Sequence, residues 1–344
     1  MYLFHNDYNE ICHPNVLKKM QENIGVQMNG YGEDESCHRA ACEIRRLCDR
    51  PDAAVHFLVG GTQTNLTVIA AALRPHQAVL AADCGHIHVH ETGAIEATGH
   101  KVITLESKEG KITANQISSA VDARWEDANH EHIPQPKLVY VSQPTELGTM
   151  YSLAELHSIA DVCKKYGLYL FVDGARLGYA LVAKGNDVNL PDLARLADVF
   201  YIGGTKVGAM FGEAVVIVNS ELQRDFRYLI KQRGGMLAKG WLMGLQFEAL
   251  LQDSLYFEIA AHADVMADRI RGALQDRGYP IVIPGTTNQI FVVLPDAFCK
   301  KIENEFSFSP WSKTDDEHTL VRFCTSWATT LESVDALCNA IRNS

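Results

Sequence analysis

Residues 137 to 174 read KLVYVSQPTELGTMYSLAELHSIADVCKKYGLYLFVDG. The segment opens and closes on apolar runs, KLVYVSQ (137–143) and LYLFVDG (168–174), that read as strands. Between them, SLAELHSIADVCKKYG (152–167) has a helical period, with Ser152 as cap, Glu155 completing a capping box and Gly167 as stop. Strands that are apolar throughout have no face to offer water. They belong in a mostly parallel sheet covered by helices on both sides.

The same alternation fills the first two thirds of the chain. AAVHFLVGG (53–61) reads as a strand into a glycine turn, followed by the helical TNLTVIAAALR (64–74). AVLAA (78–82) and KVITLE (101–106) read as strands, with a helix-like HETGAIEATG (90–99) between them. ADVFYIGGTKVGAMFGEAVVIVN (197–219) supplies two more apolar runs. From about residue 240 the pattern changes. A long helical stretch (238–277) leads to the short strands YPIVI (279–283), QIFVVL (289–294) and TLVRFC (319–324), with helices at 295–304 and 330–342. The expectation is an α/β chain with a large domain over 1–240 and a smaller α+β domain over 241–344.

The bulk properties exclude several partners. A net charge of −11 argues against nucleic acid and against an anionic membrane surface. No apolar stretch approaches a membrane span. The nine cysteines are scattered, and no CxxC pair appears. The N-terminal MYLFHNDYNEICHPN has no basic region and no long apolar run. A cytoplasmic setting with reduced thiols is expected.

In open sheets, ligands sit outside the carboxyl ends of the strands. The residues there are Gly60–Thr62, Asp83–His86, Ser142–Thr145, Asp173–Arg176 and Thr205–Lys206. VGGTQTN sets exposed amides and hydroxyls at a helix start, which suits a phosphate, although many strand-to-helix turns carry glycine. It is neither a Walker A loop nor a dinucleotide fingerprint, and no strand precedes GYGEDE (30–35). Asp173 ends an apolar strand, where it either caps a helix, pairs with Arg176 or meets a cation on a ligand. Lys206 follows 33 residues later, enough for one crossover and one strand. Alone it would be read as solvated. Together, a phosphate cradle, a strand-end carboxylate and a later lysine are what pyridoxal phosphate needs.

At this point the chain resembles a known family. MNGYGEDES (28–36), GGTQTN, DCGHIHVHETGA (83–94), VDGARLG (172–178) and GGTKVG (203–208) are similar to motifs of the low-specificity L-threonine aldolases. These form the aldolase branch of the β-eliminating lyases, with the aspartate aminotransferase fold, type I. The resemblance runs from FHNDY (4–8) to VRFCTSWATT (321–330). It implies Lys206 as the Schiff-base lysine, Asp173 as partner of the pyridine nitrogen and His86 stacked on the ring. It implies Gly61 and Thr62 as phosphate contacts, with Thr205 also at the cofactor. Arg176, Arg322 and Asn6 fall where the family holds the substrate carboxylate, Asn6 standing where serine is usual. Tyr31 matches the tyrosine offered to a neighbouring subunit, so a homo-oligomer with shared sites, a dimer or a dimer of dimers, is implied.

Two departures matter. The family often carries ENTHN after the central strand, and its histidine is a proposed acid/base. Here the segment is SQPTE, with Thr145 near that position. A bound water, the cofactor's phosphate or another histidine is then the base, and His90, where relatives carry an aromatic residue, is the candidate histidine. Arg322 inside an apolar strand reads either as a buried ion pair or as a carboxylate clamp, for which Arg suits better than Lys.

The histidines raise a metal reading. DCGHIHVHE holds Asp83, Cys84, His86, His88 and His90, and alternating histidines on a strand would suit zinc. A helical 90–99 would point His88 away from the other two, so no metal is expected. NHEH (129–132) lies in a polar connector and reads as solvated. The implied activity is retro-aldol cleavage of a β-hydroxy-α-amino acid to glycine and an aldehyde. β-Elimination on the same anchors, and ligand binding without turnover, stand as alternatives.

Overall fold

A computed structural model describes residues 1–344. Its centre is a seven-stranded sheet: β1 (Ala54–Leu58), β2 (Gln77–Ala82), β3 (Lys101–Leu105), β4 (Gln135–Ser142), β5 (Tyr169–Asp173), β6 (Val199–Gly203) and β7 (Glu213–Ile217). The order across the sheet is β1-β7-β6-β5-β4-β2-β3. β3, β2, β4, β5 and β6 pair in parallel, and β7 runs antiparallel to both its neighbours.

Alternate residues of each strand feed two cores. Leu80, Val139, Leu170, Phe200 and Val216 pack on one face. Val79, Leu138, Phe171, Val199 and Val215 pack on the other, against the helix Gly61–Ala72. Both faces are apolar because both are covered. Each such side chain contributes about 1.5–3 kcal/mol on burial. The helix Leu153–Tyr166 has the expected ends. Ser152 and Glu155 make a reciprocal capping box, and Gly167 adopts φ 64°.

A third core belongs to the C-terminal lobe. There β8 (Gln289–Pro295), β9 (Ser309–Lys313) and β10 (His318–Cys324) form an antiparallel sheet in the order β9-β10-β8. The helix Leu255–Asp276 joins the lobes: Tyr256, Ile259 and Ala260 enter a large-sheet core, whereas Ile270 and Leu274 enter the third. The N-terminus also reaches this lobe. Tyr2–Leu3 pairs in parallel with Phe306–Ser307, and Phe4 is buried in the third core.

Four local expectations need correction. Residues 90–99 are not a helix. A short helix covers His86–Val89, Thr92 and Gly93 then take φ 52° and 72°, and only a 3-10 turn (Glu96–Thr98) follows. YPIVI is not a strand, because Pro280 lacks an N–H and the segment meets β8 through a single bridge, Ile281 to Val292. The long helical stretch breaks between Trp241–Leu251 and Leu255–Asp276, where Asp253 and Ser254 adopt φ 53° and 63°. β9 was not expected. It is an edge strand containing Pro310, with four of its five residues exposed, so it carries no apolar alternation.

Candidate active site

The carboxyl ends of β4, β5 and β6 open onto a cavity of about 550 Å³. Ten of the twelve residues picked out in the sequence line it: Gly61, Thr62, His86, His90, Thr145, Asp173, Arg176, Thr205, Lys206 and Arg322. The other two, Asn6 and Tyr31, lie outside it. Asn6 uses its side-chain oxygen to accept from the Tyr8 amide, and Tyr8 faces the cavity instead. Tyr31 is 47% exposed with φ 62° and borders a separate groove.

Close backbone approach brings Asp173 and Lys206 together. A Cβ on Gly174 would stand 1.8 Å from the Tyr201 carbonyl oxygen, and one on Gly203 would stand 2.3 Å from that of Ala175. Only glycine lets the ends of β5 and β6 touch in this way. The turn after β6 is then fastened from several sides. Gly204 and Thr205 donate their amides to the Gly212 carbonyl, Gly212 donates back to the Thr205 hydroxyl, and Tyr179 donates to the Lys206 carbonyl. Burial and the charge of Arg176 pull the Lys206 amine below its ordinary pKa. A larger unprotonated fraction makes it a better nucleophile.

Asp173 is 4% exposed and held by three donors, which leaves Oδ1 able to accept once more. Oδ2 accepts from Tyr140 Oη at 2.5 Å and from Asn65 Nδ2 at 3.1 Å, and Oδ1 accepts from the Ala175 amide at 2.9 Å. It does not pair with Arg176. That arginine forms a bidentate pair with Asp7, at 2.7 and 3.0 Å. Burial alone would raise the Asp7 carboxyl, but Arg176 and Lys206 overcome it and hold it at about 2. An unfolded Asp sits near ~3.9, so the pair's stabilisation is complete above that pH and lost as pH falls toward ~2. Asp7→Asn leaves Arg176 buried without its partner and is expected to cost roughly 3–5 kcal/mol. Thermal melting at neutral pH checks this. A wild-type midpoint would mean that the pair carries no stability.

His86 and His90 stand side by side, ring centroids 5.6 Å apart. Because the helix covers 86–89, position 90 falls one turn beyond position 86. Burial, then the neighbouring His86, lower the His90 pKa, which favours a neutral imidazole. Thr145 is 1% exposed and bonded to Thr149 Oγ1 at 2.7 Å, so its hydroxyl is already engaged. Arg322 donates Nη1 to Gln289 and Nη2 to the His5 carbonyl, with its guanidinium 5.5 Å from the Trp311 ring.

Besides Tyr8, sequence reasoning missed several groups at the cavity, Glu213, Glu146 and Trp311 among them. Glu213 accepts from the Gly204 amide at 2.9 Å, and burial raises its carboxyl pKa to about 7. A lone acid at the head of an apolar strand was the available signal. Glu146 accepts from the His86 amide and the Ser142 hydroxyl. Trp311 lies on the unexpected β9, which gave no signal.

The residues present fit pyridoxal phosphate. The helix Gly61–Ala72 begins at the cavity with no side-chain cap, so its first amides are open to an anion. A buried carboxylate and an amine of lowered pKa line the same space. No group of three or more His, Cys, Asp or Glu side chains is arranged to hold a metal ion.

Comparison with known proteins agrees with this geometry. The model of the beta-eliminating lyases matches residues 13–297. A low specificity L-threonine aldolase of Pseudomonas aeruginosa is 30% identical over 341 residues, covering 98% of this chain and 96% of that protein. A threonine aldolase structure from Leishmania major superposes with a TM-score of 0.97 at 46% identity, covering 100% of this chain and 99% of that one. Thermus thermophilus aspartate aminotransferase, at 15% identity and TM-score 0.74 over 100% of this chain and 91% of that one, shares the fold alone. The chain belongs to the β-eliminating lyase family, whose members are lyases dependent on pyridoxal phosphate.

Proposed function

We propose that this chain cleaves the Cα–Cβ bond of L-threonine, L-allo-threonine or a related β-hydroxy-α-amino acid, releasing glycine and an aldehyde. The observation that carries the reading is one cavity holding Lys206, Asp173, an uncapped helix start, two arginines and a neutral-leaning histidine. The names of the relatives point the same way. Pyridoxal phosphate, when bound, supplies the sink for the electron pair left at Cα.

The chain's own groups would divide the remaining work. Lys206 anchors the cofactor carbonyl. Asp173, its geometry fixed by Tyr140 and Asn65, accepts from the protonated pyridine nitrogen. Gly61, Thr62 and Thr205 hold the phosphate. Arg176 and Arg322 hold the substrate carboxylate, with Asn6 at the edge of that subsite. Arg176 spends Nε and Nη2 on Asp7 and keeps Nη1 for this task. Fixing the carboxylate would orient the bonds at Cα. His86, on the cavity wall, would hold the cofactor ring in place. His90 takes the β-hydroxyl proton as the carbonyl of the aldehyde forms, and Cα is then protonated to give glycine. Thr145, tied to Thr149, serves as wall. A panel of β-hydroxy amino acids, assayed for aldehyde release, tests the reading; no aldehyde from any member would overturn it.

His90→Phe is expected to lower turnover by roughly 10²-fold while leaving cofactor affinity nearly unchanged. The acidic limb of the pH–rate profile should vanish with it, because a base of lowered pKa loses activity as it protonates. Unchanged turnover and profile would leave His90 as an aromatic-slot filler.

The reading includes a homo-oligomer, a dimer or dimer of dimers, with Tyr31 reaching a neighbour's cavity. Its support is that Tyr31 is exposed and outside its own chain's cavity. Inactive Lys206→Ala and Tyr31→Ala variants, mixed under conditions of subunit exchange, should regain some activity. Exchange without recovery would contradict shared sites. A reducing cytoplasmic compartment suits the nine free cysteines and is checked by fractionation. No helix is long and apolar enough to cross a membrane.

A further inference from the structure

Beneath the cavity, one buried amide joins two buried carboxylates. Asn65, 0% exposed, directs Nδ2 to Asp173 Oδ2 at 3.1 Å and to Glu91 Oε1 at 2.7 Å. The Glu91 side chain is itself fully buried, and the same Oε1 receives His86 Nδ1 at 2.7 Å. Its second oxygen, Oε2, has no partner. The result is a continuous chain of hydrogen bonds, His86–Glu91–Asn65–Asp173–Tyr140, running from the imidazole in the cavity to the carboxylate at the end of β5.

Donor and acceptor types leave little freedom. An ionised carboxylate only accepts, so His86 must present Nδ1–H to Glu91, and the Asn65 amide nitrogen must face both acids. In the neutral imidazole, Nε2 then carries the lone pair. The His86 amide is also held, by Glu146 at 2.8 Å, so ring and backbone are fixed independently.

We propose that Glu91 is a positioning residue: it sets His86 in the Nδ1–H tautomer and, through Asn65, ties the imidazole to Asp173, so that the two groups facing the cofactor are held as one unit. This rests on the cofactor reading above. Every bond between His86 and Asp173 runs through Glu91 Oε1 or the Asn65 amide nitrogen. A neutral glutamine that keeps one oxygen in place should therefore preserve the arrangement. An apolar residue of similar size should destroy it.

The test uses holoenzyme labelled with ¹⁵N-histidine, His86 being identified by the signals lost in His86→Asn. Wild type should show His86 with Nδ1 protonated and Nε2 free. Glu91→Leu should retain the visible cofactor absorbance, lose that tautomer preference and drop kcat/KM by at least about 10-fold. Glu91→Gln should restore most of both. Asn65→Ala should keep the tautomer, because the Glu91–His86 bond survives, but still lower kcat/KM. Should Glu91→Leu not fold, wild-type kcat/KM in Asn65→Ala would by itself overturn the tie to Asp173. A Glu91→Leu enzyme with the wild-type tautomer and wild-type kcat/KM overturns the proposal outright. A wild-type protein that binds no cofactor overturns the reading beneath it, and is seen before any variant is made.

Discussion

Lys206→Ala should lose turnover by at least roughly 10³-fold, the scale of removing the group through which an enzyme makes its covalent link. Some cofactor should still bind, because the open amides of the helix Gly61–Ala72 and the Asp173 carboxylate do not depend on the lysine. Borohydride treatment of the wild type should fix the cofactor to a single peptide, the one containing Lys206, and should fix none in the variant. Label on any other lysine would remove Lys206 from its role. The structural basis is the double glycine approach at Gly174 and Gly203, which places the strand-end carboxylate and the lysine turn in one space.

Asp173→Asn should keep the link at Lys206 and lose roughly 10²–10³ in kcat. The amide is nearly isosteric, but it cannot hold a positive pyridine nitrogen. It also places an NH₂ or a single oxygen where Oδ2 now accepts from two donors, Tyr140 and Asn65. With the oxygen kept there, the NH₂ faces the Ala175 amide, which loses its acceptor; with the NH₂ there, Asn65 loses its acceptor. Either way a buried donor is unsatisfied, so a modest loss of thermal stability should accompany the loss of rate. The two effects are separable: the visible absorbance reports the cofactor link, and kcat reports the charge. Near-wild-type turnover would reduce Asp173 to a structural residue of the β5 turn.

Much of this arrangement was legible in the sequence, for a physical reason. Continuous apolar strands, a capping box and a left-handed glycine are local devices, so β4, the helix Leu153–Tyr166 and β5 could be placed from their own residues. Asp173 and Lys206 were legible because a charge at the end of a buried strand needs a partner. The illegible parts depend on distant contacts. Trp311 lies on an edge strand whose pairing is made by β10, not by its own composition. Asp7 takes Arg176 across 169 positions, which turns half of an expected substrate clamp toward a neighbouring carboxylate. Glu91 sat inside a motif read for its histidines. Its meaning lies in Asn65, on another element, 26 positions away. The helix expected at 90–99 failed because Thr92 and Gly93 take left-handed backbone that no periodicity reveals.

The central claim is that the Cα–Cβ bond breaks, and the family alone leaves β-elimination open, since its description names that reaction. Product balance from uniformly ¹³C-labelled L-threonine, followed by NMR with the cofactor-loaded protein, decides between them. Retro-aldol cleavage predicts labelled glycine and acetaldehyde in equal amounts, with no ammonia released. Ammonia with 2-oxobutanoate, and no glycine, would contradict the account.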